Sequence, residues 1–142
     1  MANIIPFSFR GELFSGTHDF ASGGNQFKIA LYTSNPYSTS STAYLTTNEV
    51  SASGGSNYTA TGNILASQAV ASGTAVASVD FADTSWTSAT FTAAFAAIYN
   101  DTNSDKLCVV LDFGGNKTAT NGTFTISFPN PATPANAIIS MA

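Results

Sequence analysis

The sequence predicts an all-β fold: a single-domain β-sandwich or jelly roll over residues 1–142 with one short N-terminal helix. Three observations carry this. Apolar and polar residues alternate over short runs, as in "FKIALYT" at Phe27–Thr33, the period of a strand with one covered face. Clusters of Gly, Asn, Asp and Pro interrupt the runs at short intervals, which suits antiparallel strands joined by tight turns. Eleven Phe, five Tyr and one Trp supply a core, each buried Phe contributing roughly 1.5–3 kcal/mol.

The chain opens with an arm, residues 1–7, "MANIIPF". Ile4, Ile5 and Phe7 are apolar residues in a region that orders only when something holds it, which makes them candidate contact residues. "FSFRGELFSG", Phe7–Gly16, then pairs Phe9 with Leu13 and Arg10 with Phe14 at helical spacing. Ser8 is the expected N-cap and Gly16 the expected residue after the C-cap.

The first strand is "FKIALYT", with Phe27, Ile29 and Leu31 on its covered face. A long surface loop, residues 34–62, follows, rich in Ser, Thr and Tyr. Loops of this length in a compact domain usually have a job. Its Tyr37, Tyr44 and Tyr58 either form a contact surface for a partner or pin the loop to the domain.

"GTAVASVDFA" gives another strand, with Ala77, Val79 and Phe81 opposite Val76, Ser78 and Asp80. "SWTSATFTAAFAAIYN" reads as two strands or one bent strand, since Phe91, Phe95 and Tyr99 fit periods of both two and four while Thr and aromatics favour strand. "LCVVLDF" (Leu107–Phe113), "TFTISFP" (Thr123–Pro129) and "AIIS" (Ala137–Ser140) complete a set of about eight strands. Turns are predicted at Asn100–Lys106, at Gly114–Gly122 and at "NPATPAN", Asn130–Asn136.

Only 8 % of the residues are charged, against about 25 % in ordinary soluble domains. The exterior must therefore be built of Ser, Thr, Asn, Gly and Ala, a composition that suits a protein packed against others. Four scattered cations, Arg10, Lys28, Lys106 and Lys117, provide no stripe for phosphates, so no nucleic-acid partner is expected. No run approaches the ~18 apolar residues of a membrane span, so no membrane partner is expected. "MANIIPFSFR" lacks the basic and apolar regions of a signal peptide, so the expected site of synthesis and assembly is a cytoplasm.

The chemistry on offer is sparse, and the chain reads as not an enzyme, with no cofactor and no metal. His18 is the one histidine and is followed by Asp19, but no nucleophile motif points to it. A capping or packing role is the expectation. Asp101, Asn103, Asp105 and Asp112 imitate the oxygen spacing of a calcium loop, although Lys106 stands where the sharp turn needs Gly. Cys108 is expected to be a buried, inert thiol. Trp86 and the loop tyrosines could form a stacking platform for sugars on a β-sandwich, against which stands the usual burial of large aromatics.

With these residues laid out, the chain resembles a family of small structural proteins of tailed bacteriophages. The resemblance runs from about Phe7 to Met141 and is carried by "FRGELFSGTHDF", "FKIALYTS", "YLTTNEV", "GNILASQAV", "SW" followed by "AAIYND", and "LDFGGNKTATNGTFTISFP" in this order. It implies a virion protein of the capsid exterior, assembled in the host cytoplasm. The implied role is capsid decoration or cement, in which a homo-oligomer, dimer or trimer, clamps neighbouring copies of the major capsid protein. The alternative it leaves is a tail or fibre binding module that recognises host-surface carbohydrate. It carries over no catalytic residues. The arm and the loop, through Ile4, Ile5, Phe7, Tyr37, Tyr44 and Tyr58, are the candidate interface.

Overall fold

The computed structural model describes residues 2–129 and 137–141, so the predicted turn at Asn130–Asn136 lies outside the described residues. One helix, α1 (Phe7–Phe14), precedes seven strands among the described residues. These are β1 (Phe27–Tyr32), β2 (Asn63–Ile64), β3 (Ala69–Ser72), β4 (Ala77–Asp80), β5 (Thr84–Asn100), β6 (Lys106–Ile126) and β7 (Ile139–Met141). They form two antiparallel sheets, ordered β2-β1-β5-β6 and β3-β4-β7. The protein is all-β with one short N-terminal helix, as the alternation predicts.

The sheets share a core. Phe27, Ile29 and Leu31 of β1 meet Val79 of β4 and Ile139 of β7, with Trp86, Phe91 and Ile98 of β5 and Phe124 of β6 in the same cluster. Helix α1 adds Phe9 and rests Leu13 against it. Phe20 stacks on Phe27 at 4.3 Å between ring centroids, a geometry worth something beyond the area buried.

Strand β1 departs from the expectation of one covered face. Ala30 and Tyr32, on its other side, are also fully buried, in a second cluster with Tyr37, Ala97, Tyr99, Leu107 and Val110. The long loop and the arm lie over that face, tied down by isolated bridges Ile4↔Val110, Tyr32↔Glu49 and Ala43↔Lys106. The loop closes on β1 at Gly62, whose φ is +82° and where a Cβ would stand 1.9 Å from the Ile29 carbonyl oxygen. Only glycine fits such an approach.

Strands β5 and β6 form one long hairpin around the predicted turn at 101–105. The bent-strand reading of β5 holds. The predicted turn at Gly114–Gly122 does not reverse the chain: "LCVVLDF" and "TFTI" belong to a single strand. Gly114 and Gly115 do take positive φ, at +71° and +137°, but in a bulge where Phe113 to Asn116 stand opposite Ala94 alone. A second irregularity sets Thr120 and Asn121 opposite Thr90, with Asn121 at φ +46°. Both bulges bend the hairpin while keeping its pairing.

Helix α1 begins earlier than predicted. Its N-cap is Pro6, without a side-chain cap, and the Phe7 N–H donates instead to the Thr39 carbonyl at 2.9 Å. Ser8 is thus inside the helix and its hydroxyl donates to the Ser41 carbonyl. The end is as predicted. Gly16 has φ +70°, its N–H donates to Leu13 O and the Thr17 N–H to Glu12 O, the paired bonds of a Schellman motif.

Candidate functional site

Three places carry polar or exposed groups that a function could use: a buried junction around His18, the tyrosines under the long loop, and the outer face of α1. The junction forms because α1, the segment after it and the β5–β6 turn converge. Lys106 Nζ lies 2.7 Å from Glu12 Oε1, and Glu12 Oε2 lies 2.8 Å from His18 Nε2. The other ring nitrogen, Nδ1, accepts from Asn100 Nδ2 at 3.0 Å. This leaves Nε2 as the nitrogen that carries the proton and donates it to Glu12.

Asn100 is fully buried and its amide is fully used. Nδ2 also donates to Asn25 Oδ1 at 2.9 Å, and Oδ1 accepts from the Asn103 N–H at 3.1 Å. Burial pushes the Glu12 carboxyl up, but the bonds from Lys106 and His18 outweigh it and hold the group below its ordinary range.

Cys108 Sγ is 3.8 Å from His18 Nδ1, so thiol, imidazole and carboxylate lie in sequence as they do in a nucleophilic triad. The chemistry does not follow. Burial, then the nearby Glu12, pushes the Cys108 thiol well above its ordinary value, and the thiolate is the nucleophilic form. The Asn100 amide already occupies Nδ1, the nitrogen that would take the proton. The junction ties α1 to the β5–β6 turn, a packing role as expected for His18.

Of the calcium-like residues, Asp101, Asn103 and Asp105 lie in the hairpin turn and Asp112 stands within β6, and the side chains of Asp101 and Asn103 are committed to other partners. Asp101 pairs with Lys28 at 2.9 Å and accepts from Gln26 Nε2 at 2.6 Å. Asn103 Nδ2 donates to the Thr17 carbonyl and to Asn25 Oδ1. Among the described residues no three His, Cys, Asp or Glu side chains group closely enough to hold a metal ion. No helix among them is long and apolar enough to cross a membrane.

The candidate loop tyrosines point inward. Tyr37 and Tyr58 are 6 % and 4 % exposed, and Tyr44 is half-buried with its ring 4.7 Å from that of Tyr99. Their hydroxyls hold backbone and carboxylate. Tyr58 Oη accepts from the Leu31 N–H at 3.0 Å and donates to Glu49 Oε1 at 2.8 Å, while Tyr44 Oη donates to Glu49 Oε2. Tyr32 and Tyr37 share a bond of 2.6 Å, and Tyr32 Oη also donates to the Leu45 carbonyl. Tyr99 Oη donates to the Thr61 carbonyl at 2.6 Å. Of the two readings open for Tyr37 and Tyr58, pinning the loop is the one the geometry gives. Burial pushes all five phenols above their ordinary value.

Trp86 is 3 % exposed and packs between Tyr58, Phe91 and Phe124. The proposed stacking platform for sugars is therefore absent from the surface, for the reason that weighed against it: these rings are worth more in the core. Of the arm residues, Ile4 exchanges both backbone bonds with Val110, at 2.9 and 2.8 Å, and Ile5 packs against the main core. Of the three candidates in the arm, only Phe7 protrudes, at 61 % exposure.

The residue that the sequence reading missed is Phe14, 96 % exposed at the end of α1. It stands seven positions after Phe7, two helical turns along one face, with the Arg10 guanidinium 5.5 Å from the Phe7 ring between them. That spacing was visible in "FSFRGELF". No family model matches the chain, and no curated protein or solved structure matches it.

Proposed function

We propose that the chain is a structural subunit of a tailed-phage virion, a decoration or cement protein that lies on the outer shell and clamps major capsid subunits. The observation that carries this reading is the outward face of α1. Phe7 and Phe14 are exposed at 61 % and 96 %, and Met141 and Val70 at 60 % and 53 %. Aromatic side chains left in water on a fixed helix are costly unless a partner covers them. The uncharged exterior supports the same reading, because such a surface associates by shape and apolar burial with little charge repulsion.

The candidate interface shifts accordingly. It centres on Phe7, Arg10 and Phe14 of α1, with Met141 of β7 beside Arg10 and Leu13, and the loop tyrosines support the domain from within. The second placement, in a tail or fibre, uses the same face in fewer copies. Quantitative mass spectrometry of purified virions tests the proposal. A ratio to the major capsid protein near one, or a simple fraction of it, is expected for a shell component. A ratio lower by an order of magnitude moves the chain to the tail, and absence from the particle overturns both placements.

A further inference from the structure

Strand β6 is the last strand of its sheet, and the chain covers only the first part of its outer edge. There Val110 exchanges both backbone bonds with Ile4 of the arm, the Leu107 N–H donates to the Thr42 carbonyl of the loop, and the Asp112 N–H donates to Asn3 Oδ1. From Lys117 to Ile126 the cover is gone. Among the described residues, no backbone group of that run bonds outside the β5–β6 pair. Alternate residues of a strand turn their N–H and C=O to the far edge, so this run holds out a row of groups spaced for another strand.

Proteins blunt such edges with proline, charge and bulges. The bulges of β6 itself lie at or before Asn121, and Gly122–Ile126, "GTFTI", follows them without proline or charge. Its Thr, Phe and Ile residues favour strand pairing. A cleft of about 650 Å³ is lined by Thr123 and Thr125, which are exposed, and by Phe124 and Ile126, which are buried on the opposite face. Since both faces of the strand line it, the cleft lies along the edge. The half-buried Phe113 and Ile138 line it too, and they put apolar surface beside the open backbone.

We propose that this edge pairs antiparallel with the same edge of a second copy, about a two-fold axis beside Phe124. Such an axis sets Thr123 against Thr125 of the second copy and Phe124 against its counterpart, so both faces continue across the junction. Cross-strand Thr–Thr pairs are favourable. Lys117, the one charge in 113–126, falls outside the paired run, so no like charges meet. A foreign strand would need the same uncharged alternation, which a second copy has by identity. A run this short gives less contact than the ~800 Å² per partner of a stable interface. The dimer is therefore reversible, with a Kd on the order of 10 µM. The inference goes beyond the virion reading and does not rest on it, since no residue of α1 lines the cleft.

Sedimentation equilibrium of the full chain, from about 1 to 300 µM, tests the pairing. Wild type is expected to pass from monomer to dimer within that range. Thr123→Lys/Thr125→Lys brings like charges together at both junctions across the axis. Thr123→Glu/Thr125→Lys charges the same two positions but brings opposite signs together. The first variant should dimerise about tenfold more weakly than the second. Both side chains face water, so both variants should keep the wild-type near-ultraviolet circular dichroism. A wild-type chain that stays monomeric at the highest concentration overturns the proposal. So does equal dimerisation of the two variants, whether both retain it or both lose it.

Discussion

Glu12 is the residue on which most of the buried polar chemistry depends. It receives Lys106 and His18, and through His18 it reaches Asn100, which holds Asn25 and Asn103. Because its folded-state pKa is depressed, Glu12 favours the folded protein above the ordinary carboxylate value near 4.5. That contribution is lost as pH falls through the lower folded value. Glu12→Gln should therefore cost about 1 kcal/mol at neutral pH, the half-exposed Lys106 side being screened, and should flatten the loss of stability on the acid side. Urea denaturation midpoints of both proteins, measured from about pH 6 down to about pH 3, check this. Parallel pH profiles would remove Glu12 from the explanation. None of this junction was legible in the sequence beyond His18 as a packing residue. Its members come from α1, the segment after it and the β5–β6 turn, and no local pattern announces which Asn or Glu will meet a histidine once the chain is folded.

At the scale of elements, alternation was a good guide and punctuation a partial one. β1, β4, the bent β5 and β7 follow from their apolar periods, and the end of α1 follows from Gly16. Within the segment predicted as a turn, Gly114, Gly115 and Asn121 do take positive φ. Their local chemistry is the same in a reversing turn and in a bulge, however, and the choice is made by β5, which is long enough to pair on past them. The long loop poses the converse problem: it lacks strand pattern, yet the tyrosine hydroxyls and Glu49 make it part of the structure. Each phenol is held above its ordinary pKa, so the folded state is favoured below about 10. Stability falls above that value because the unfolded chain gives up its phenolic protons first. All five tyrosines should then ionise in one cooperative step, above pH 10, coincident with the loss of near-ultraviolet circular dichroism. Gradual phenolate absorbance centred near pH 10 with the fold intact would mean that the loop opens independently of the domain.

For the molecule as a whole, the scarcity of charge and the exposed aromatic helix face belong together. A surface with 8 % charged residues over the whole chain has few ion pairs to offer a partner, so any firm association must come from apolar burial and hydrogen bonds at its rim. The two mechanisms respond differently to salt. Raising ionic strength from about 0.01 M to 1 M shortens the Debye length from roughly 30 Å to 3 Å, which strips proteins held by charge and leaves apolar contacts intact or stronger. If the chain is the shell component proposed above, virions washed across that range should keep it, as read by its ratio to the major capsid protein in the pelleted particles. Replacing Phe7 and Phe14 together by Ser should leave thermal stability nearly unchanged, since both side chains already face water and surface substitutions cost about 0.5 kcal/mol or less. The same variant should fail to rejoin particles that lack the chain. Release by salt alone would assign the attachment to Arg10 and the few remaining charges. Retention of the Ser variant would place the adhesive surface elsewhere, and Val70 with the outer edge of β3 would be the next to change.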